Sequence, residues 1–519
     1  MLTVKLNHNH GYKWFCQDEI YVKGYLFDND NNLLENEKLV NYFLEVGSEE
    51  EFKDKLIEAN GIFSVLIKRE NILFIAVDRT RTFPIFYTVK DEKIYISDDT
   101  YYLQDKVKNH LDNDSSEEFL STGYVTGKET LIKDIFQVQA GEYLIYKNKT
   151  IVNNFYFDYL TTKVSTLEYD FLKKDFIQIL NNSIHRLIKL ANGRKIVLPL
   201  SGGYDSRLIA SLLKKHNYKN VLCFTYGSKE SFEVSISKKV ASELGFEWHF
   251  IEYNEETVPK DYPISKTFQE YYKFASNHVS IFLTQDYFAV KYLFDKEIIP
   301  SDSVIVPGHS GDFLGGSHLA KTEVANKQNL VNIILKKHYL LHESNNIMKN
   351  KILEYFKDSN KNEQFFYSLD ENFNLKERQS KFIVNANRVY EYFGYQHSIP
   401  LWDSELIEFF RILPLEYKLN SYFFEKVIIE DIFEPLNIGY KKEGIKSNKL
   451  KSKVKNFIKK VIPSSLKKQI LHKIHIDFNN FYLIHNPLQE ELNSTYLITE
   501  INSLLSKWYL FKVKDEKNT

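Results

Sequence analysis

The chain has 519 residues, which exceeds one ordinary core and predicts two to four domains. Its 43% hydrophobic and 26% charged residues exclude global disorder, and 68 Lys+Arg against 69 Asp+Glu leave no overall charge to select a nucleic-acid or acidic partner. Two cysteines in unlike contexts, no apolar core after Met1 and no run of 18 apolar residues argue against a disulfide framework, a signal peptide and a membrane span, so a reducing, cytoplasmic compartment is expected.

In chain order, residues 1–155 predict mostly β structure. Apolar runs at Ile20–Phe27, Ile62–Lys68, Ile72–Asp78 and Ile94–Ser97 alternate with turn residues such as Asp28-Asn29-Asp30-Asn31-Asn32. One helix is expected near 49–60, and further strands at Leu131–Gln137 and Glu142–Tyr146. A connection spans about 156–166, and from 167 strands alternate with helices. Phe171–Ala191 has helical periodicity, Lys195–Leu200 is a short apolar strand and Arg207–His216 an amphipathic helix. Asn220–Tyr226 and Trp248–Tyr253 are further strands, with a helix at Phe232–Leu244 between them. Strands separated by helices of this length imply a parallel sheet. Residues 265–440 read as mainly helical, with a strand at Ser303–Pro307, and the last 70 residues contain a lysine-rich stretch and then more helix.

The segment that carries chemistry follows the strand at Lys195–Leu200. Ser201-Gly202-Gly203-Tyr204-Asp205-Ser206 runs directly into the helix at Arg207. Glycines let backbone approach a ligand closely, and loop N–H groups together with a helix N-terminus favour an anion. Ser201 and Ser206 add hydroxyl donors, and Asp205 suits a magnesium ion bridging phosphates. A strand–turn–helix capped by Ser and Asp is the ordinary alternative. The Gly-Lys-Ser/Thr ending of a Walker loop is absent.

This string resembles the Ser-Gly-Gly-x-Asp-Ser signature of the ATP-pyrophosphatase superfamily, and roughly residues 20–445 are similar to its asparagine synthetase branch. The resemblance implies an α/β fold: an N-terminal α+β sandwich like the Ntn hydrolases (1–160), then a parallel-sheet ATP-pyrophosphatase domain of the adenine nucleotide α-hydrolase kind with helical additions (165–445). A basic helical extension (446–519) would follow. It also implies ATP and Mg²⁺ as cofactors. Leu200, Ser201, Gly202, Gly203, Asp205, Ser206 and Gly308 would hold the nucleotide, and Thr225, Tyr226 and Gly227 at the next strand end would meet adenine. Glu233 matches an acidic position that begins a helix. Val306-Pro307-Gly308-His309-Ser310-Gly311-Asp312-Phe313-Leu314-Gly315-Gly316 is similar to the family's Ser-Gly-x-Gly-x-Asp-Glu…Gly-Gly segment. There Asp312, with Asp205, would hold the metal, while Phe313 replaces the Glu. In Asn387–Asp403, Arg388, Gly394, Pro400 and Asp403 agree with a third family motif. Gln396 and Ser398 replace its Glu and Arg, on what the resemblance implies is the acceptor side. Lys441-Lys442-Glu443-Gly444 is similar to a late family element in which Lys442 would contact phosphates.

The implied activity is that of an ATP-dependent, AMP-forming amide ligase with Asp205, Asp312 and Lys442 as catalytic residues. It would activate a small-molecule carboxylate, such as a surface-polysaccharide sugar acid or an amino-acid-like compound, for attack by ammonia or an amine. A nucleotide-binding scaffold or a nucleobase- or tRNA-modifying relative are the alternatives. Residues 61–100 resemble the family's glutaminase domain, yet Met1-Leu2 stands where glutamine-using members carry a nucleophilic cysteine. Glutamine hydrolysis is therefore expected to be absent, Cys16 and Cys223 to be structural, and ammonia to come free or from a separate glutaminase. His309 is a candidate for acid–base work or a structural histidine. Residues 446–475 hold ten lysines and no acid, with apolar residues at helical spacing. Such a segment can lie on an anionic membrane surface, bind nucleic acid, or form a solvated helix with one buried face; a nucleic-acid partner is not expected.

Overall fold

The computed structural model describes residues 2–108, 110–319, 327–357, 365–440, 479–492, 498 and 500–516. Its N-terminal part is a sandwich of two sheets. One has the order β1 (Leu2–Lys5), β8 (Lys93–Ser97), β7 (Phe86–Lys90), β9 (Phe136–Gln137). The other runs β11 (Thr150–Phe155), β10 (Glu142–Lys147), β6 (Ile72–Val77), β5 (Asn60–Arg69), β3 (Ile20–Phe27), β2 (Phe15–Gln17), with β4 (Leu33–Glu35) also on β3. Alternation along each strand builds the layers. In β6, Leu73, Ile75 and Val77 face the inter-sheet core with Ile94, Ile96 and Leu144, while Phe74 and Ala76 join the core on the other side. The predicted helix near 49–60 is Glu49–Glu58, opened by a reciprocal Ser48–Glu51 capping box.

The strand expected over Leu131–Gln137 is mostly irregular: Phe136–Gln137 pairs with β7, and Ile132 makes an isolated bridge to Leu111. The buried Thr130 hydroxyl donates to the carbonyls of Ile132 and Ile135, both at 3.0 Å, and Asp134 has φ 67. Those bonds and that turn displace a strand ladder.

The second part holds five parallel strands in the order β14 (Glu247–Glu252), β13 (Val221–Gly227), β12 (Ile196–Pro199), β15 (Val304–Ile305), β16 (Gln396–His397). Both faces are covered, as parallel sheets require. Ile196 and Leu198 of β12 face the core containing Leu208 and Leu212, and Val197 faces the one containing Phe288 and Tyr287. Chain order reverses around β12, whose neighbours are β13 and the much later β15. A crevice opens at such a switch point beyond the carboxyl ends of the strands. The loops after β12 and β15 face each other there.

The segments after residue 478 are not an appended tail. The helices Tyr482–Glu491 and Ile501–Asp515 bury Ile484, Leu488, Leu504 and Trp508 completely, in the same core as Phe119 and Phe268. The basic stretch 446–475 and Lys442 lie outside the described residues. Among the described residues no helix is long and apolar enough to cross a membrane.

Candidate active site

The crevice holds a cavity of about 570 Å³, lined among others by Leu200, Ser201, Gly203, Asp205, Ser206, Thr225, Tyr226, Glu233, Gly308 and Asp312. The tertiary fold therefore brings together most of the residues singled out in sequence. Gly202 and Gly227 are not among the residues that line it.

The first loop is braced from within. The Gly203 N–H donates to Ser201 Oγ (3.1 Å), and the Ser201 and Ser206 hydroxyls lie 3.3 Å apart. The helix Asp205–Lys215 begins here, so its N-terminal amides and dipole meet the cavity. Arg207, fully buried, ties loop and helix together: it donates to the Gly202 carbonyl (3.0 Å) and to the carbonyls of Ile438 and Tyr440 (3.1 and 2.7 Å). Sequence reading passed over this residue, because an arginine on a helix is ordinarily a surface residue.

The second loop packs directly on the first. The Asp312 N–H donates to Asp205 Oδ2 (3.1 Å). Asp312 itself accepts from the Phe313 N–H (2.8 Å) and the Ser317 hydroxyl (3.2 Å), with His318 Nε2 at 3.5 Å. Burial opposes ionisation of Asp312, but His318 and these hydrogen bonds outweigh it and hold the carboxyl below its usual range. His318 is steadied by Asn374 (3.2 Å) and Gln379, whose Oε1 also accepts from Ser310 (2.7 Å). Nothing in the sequence motifs pointed to His318, which acts here by orienting Asp312. His309 is pushed down to about 4 by burial and by nearby His397, so it stands neutral at ordinary pH.

Four carboxylates line the cavity: Asp205, Glu233, Asp286 and Asp312. Its lining contains no Lys or Arg among the described residues. A polyphosphate enters such a site only with cations. Asp205 and Asp312, beside the Ser201–Ser206 loop, are hard oxygen donors of the kind that would suit Mg²⁺. Among the described residues no cluster of three or more His, Cys, Asp or Glu could hold a metal alone.

Other expectations shift. The Thr225 hydroxyl is committed to the Leu200 carbonyl (2.7 Å) and Ser237 (2.8 Å), so it fixes β13 to the loop. Phe313, in place of the expected Glu, is 1% exposed and packs against Tyr159 and Trp402. Gln396 accepts from Arg194 (2.6 Å), and Ser398 bonds Tyr25 (2.8 Å); neither lines the cavity. Asp403 pairs with Arg186 (2.7 Å) and bonds Asn60 (3.2 Å), while Arg388 contacts Glu391, which also meets Lys23 (3.4 Å). The third motif therefore joins the sandwich to the parallel-sheet part and gives the cavity Tyr390, whose hydroxyl donates to Asp286 (2.9 Å).

Residues 178–438, half of the chain, match the asparagine synthase family. The chain belongs to the asparagine synthase family. Residues 25–157 match the glutamine amidotransferase domain. A relative, microcin J25-processing protein McjC of Escherichia coli, is 28% identical over 206 residues, 38% of each chain, so the match spans under half of that relative's length. Among solved structures, an NH3-dependent NAD synthetase from Campylobacter jejuni is 14% identical, covering 41% of this chain and 96% of that one with a TM-score of 0.23. A glutamine phosphoribosylpyrophosphate amidotransferase from B. subtilis is 10% identical, covering 67% and 76% with a TM-score of 0.20.

Within this family membership, the amidotransferase-like sandwich has Cys16 as its sole cysteine. Cys16 is exposed on β2, an edge strand, opposite Tyr21. Cys223 is fully buried in β13, and burial pushes its thiol up to about 12, which leaves it inert. Incubation with labelled glutamine is therefore expected to release no glutamate above background. Robust release that vanishes in Cys16→Ala would overturn this.

Proposed function

We propose that this asparagine synthase family member is an ATP-dependent, AMP-forming amide ligase. The supporting observation is the convergence of the Ser201–Ser206 loop, a helix N-terminus, Asp205 and Asp312 on one cavity at the switch point of the sheet. A carboxylate oxygen attacks the α-phosphorus of ATP, forming an acyl-adenylate and breaking the bond to pyrophosphate. A nitrogen nucleophile then adds to the acyl carbon and AMP departs, the nitrogen giving up a proton. The loop amides and the Ser201 and Ser206 hydroxyls cradle the departing pyrophosphate, and catalysis is mostly positioning and charge stabilisation. Asp205 and Asp312 would hold Mg²⁺, which supplies charge neutralisation on the phosphates when bound. His318 keeps Asp312 aimed, and Arg207 keeps the loop in register.

The nitrogen source in this reading is ammonia, free or from a separate glutaminase, or an amine. The carboxylate is a small molecule such as a sugar acid or an amino-acid-like compound; the relative named for processing microcin J25 adds that substrate class to the candidates. The measurement is ATP–pyrophosphate exchange across a panel of such carboxylates with Mg²⁺. Exchange stimulated by one acid class, and AMP release on adding ammonia or the partner amine, is the expected result. ATP binding with no exchange for any acid would instead favour a nucleotide-binding scaffold, a reading to which the buried Phe313 at the acidic family position lends support.

A further inference from the structure

The phosphate cradle cannot tell one nucleotide from another, because Ser201–Ser206 offers only amides, hydroxyls and a helix dipole. Selection of a base needs flat apolar faces and an edge of donors and acceptors. The cavity has such a part, with Phe224, Tyr226, Leu283 and Phe481 as apolar lining and Asn479 as an amide. Two of these residues, Asn479 and Phe481, follow residue 438, where the family match ends. They are contributed by chain that the nucleotide-binding domain proper does not contain.

Their placement is well anchored. The Asn480 side-chain amide donates to the Tyr253 carbonyl (2.9 Å), and the Tyr262 hydroxyl donates to the Ile484 carbonyl (2.7 Å). Ile484 and Leu488 of the following helix are fully buried, and Trp508 Nε1 donates to Glu491 at that helix's end (2.7 Å). The rings form a tier: Phe481 lies 6.4 Å from Tyr253, which stacks on Tyr226 at 5.2 Å and 16°. Gly227 explains the closeness of the contact. A Cβ there would sit 3.1–3.3 Å from three atoms of Asn479, and φ is +118°. The end of β13 thus has room for Asn479 only because residue 227 lacks a side chain.

We propose that Asn479 and Phe481 form a base-recognising wall of the cavity, so that the segment beyond the family domain determines specificity for a purine nucleotide. The inference rests on the ATP-using reading above and adds to it the source of base selectivity. Phe481 supplies a stacking face, and the Asn479 amide reads the edge of the ring.

The test uses the full chain with Mg²⁺ and titration calorimetry against ATP, GTP and inorganic tripolyphosphate, which shares the phosphates but has no base. Wild-type protein is expected to prefer ATP to both. Phe481→Ala should weaken ATP about tenfold, the scale of one lost base–aromatic stack, and leave tripolyphosphate unchanged. Phe481→Tyr should restore ATP binding, Asn479→Ala should narrow the gap between ATP and GTP, and Gly227→Ala should weaken ATP by displacing Asn479. Unchanged ATP affinity in both Phe481→Ala and Asn479→Ala would overturn the wall. So would a parallel loss of ATP and tripolyphosphate, which marks a merely structural role. Wild-type protein that binds none of the three would bring down the ATP reading itself, an outcome separable from the others because it needs no variant.

Discussion

Gly308→Ala is expected to lower ATP–pyrophosphate exchange by about 100-fold or more, the scale set by an ångström of misplacement in a reacting site. A Cβ at residue 308 would lie 2.4 Å from the Ser206 nitrogen, 2.8 Å from its Cα and 3.0 Å from the Asp205 carbonyl carbon. All three are backbone atoms of the Ser201–Ser206 loop where its helix starts, so no side chain can swing aside. The loop must move, and with it the Asp205 carboxylate that accepts from Asp312. Gly47→Ala, in the sandwich and outside the cavity lining, is the comparison: its Cβ would meet only Glu51 Oε2, at 3.8 Å, and exchange should stay at the wild-type level. Exchange kinetics and ATP affinity on both variants check this. Gly308→Ala retaining activity within a few-fold of wild type would mean that the contact between the two loops does not position the phosphates.

Lys381→Met is expected to cost about 3–5 kcal/mol of stability, read from urea unfolding, because it strands a buried charge. Lys381 and Glu377 are both 0% exposed and lie 2.6 Å apart within the π-helical stretch Leu375–Ile383. Burial pulls the Lys381 ammonium below its usual range, and Glu377 opposes that. The pair also staples the sandwich to the parallel-sheet part. Lys381 donates to the carbonyls of Val125 (3.0 Å) and Gly127 (2.7 Å), and Glu377 accepts from the Gly127 N–H (3.2 Å). The double variant Lys381→Met with Glu377→Leu should recover much of the loss, since a matched apolar pair pays no desolvation penalty. Recovery should remain incomplete because the Gly127 amide loses its acceptor. A single variant as stable as wild type would mean that Glu377 reaches water or another cation.

Much of the parallel-sheet part was legible in the sequence. β12, β13 and β14 and the helices between them are short apolar runs and amphipathic stretches of ordinary length, and local pattern suffices for these. β15 (Val304–Ile305) falls inside the strand expected at Ser303–Pro307, whereas the two-residue β16 carries too little pattern and exists because β15 supplies its pairing. The Leu131–Gln137 run misled because β-favourable composition gave way to one buried hydroxyl, Thr130, capturing two carbonyls. The C-terminal helices were foreseen as helix, but not as core. Trp508 and Leu504 are buried by partners hundreds of residues away.

The site divides along the same line. Ser201–Ser206 and Asp312 could be picked out in sequence because close approach of backbone to phosphate demands glycines and small hydroxyls in a fixed order, and that order survives as a string. By itself the sequence determined the strand–loop–helix cradle and the family resemblance. Only the tertiary structure decided which residues share the cavity. It turned Gln396 toward Arg194 and Ser398 toward Tyr25, committed the Thr225 hydroxyl to the scaffold and enlisted His318 beside Asp312. It also brought Asn479 and Phe481 against β13. The physical reason is range. A cradle is set by backbone conformation over six residues, whereas a wall or an orienting partner is set by packing between segments that carry no local mark of one another.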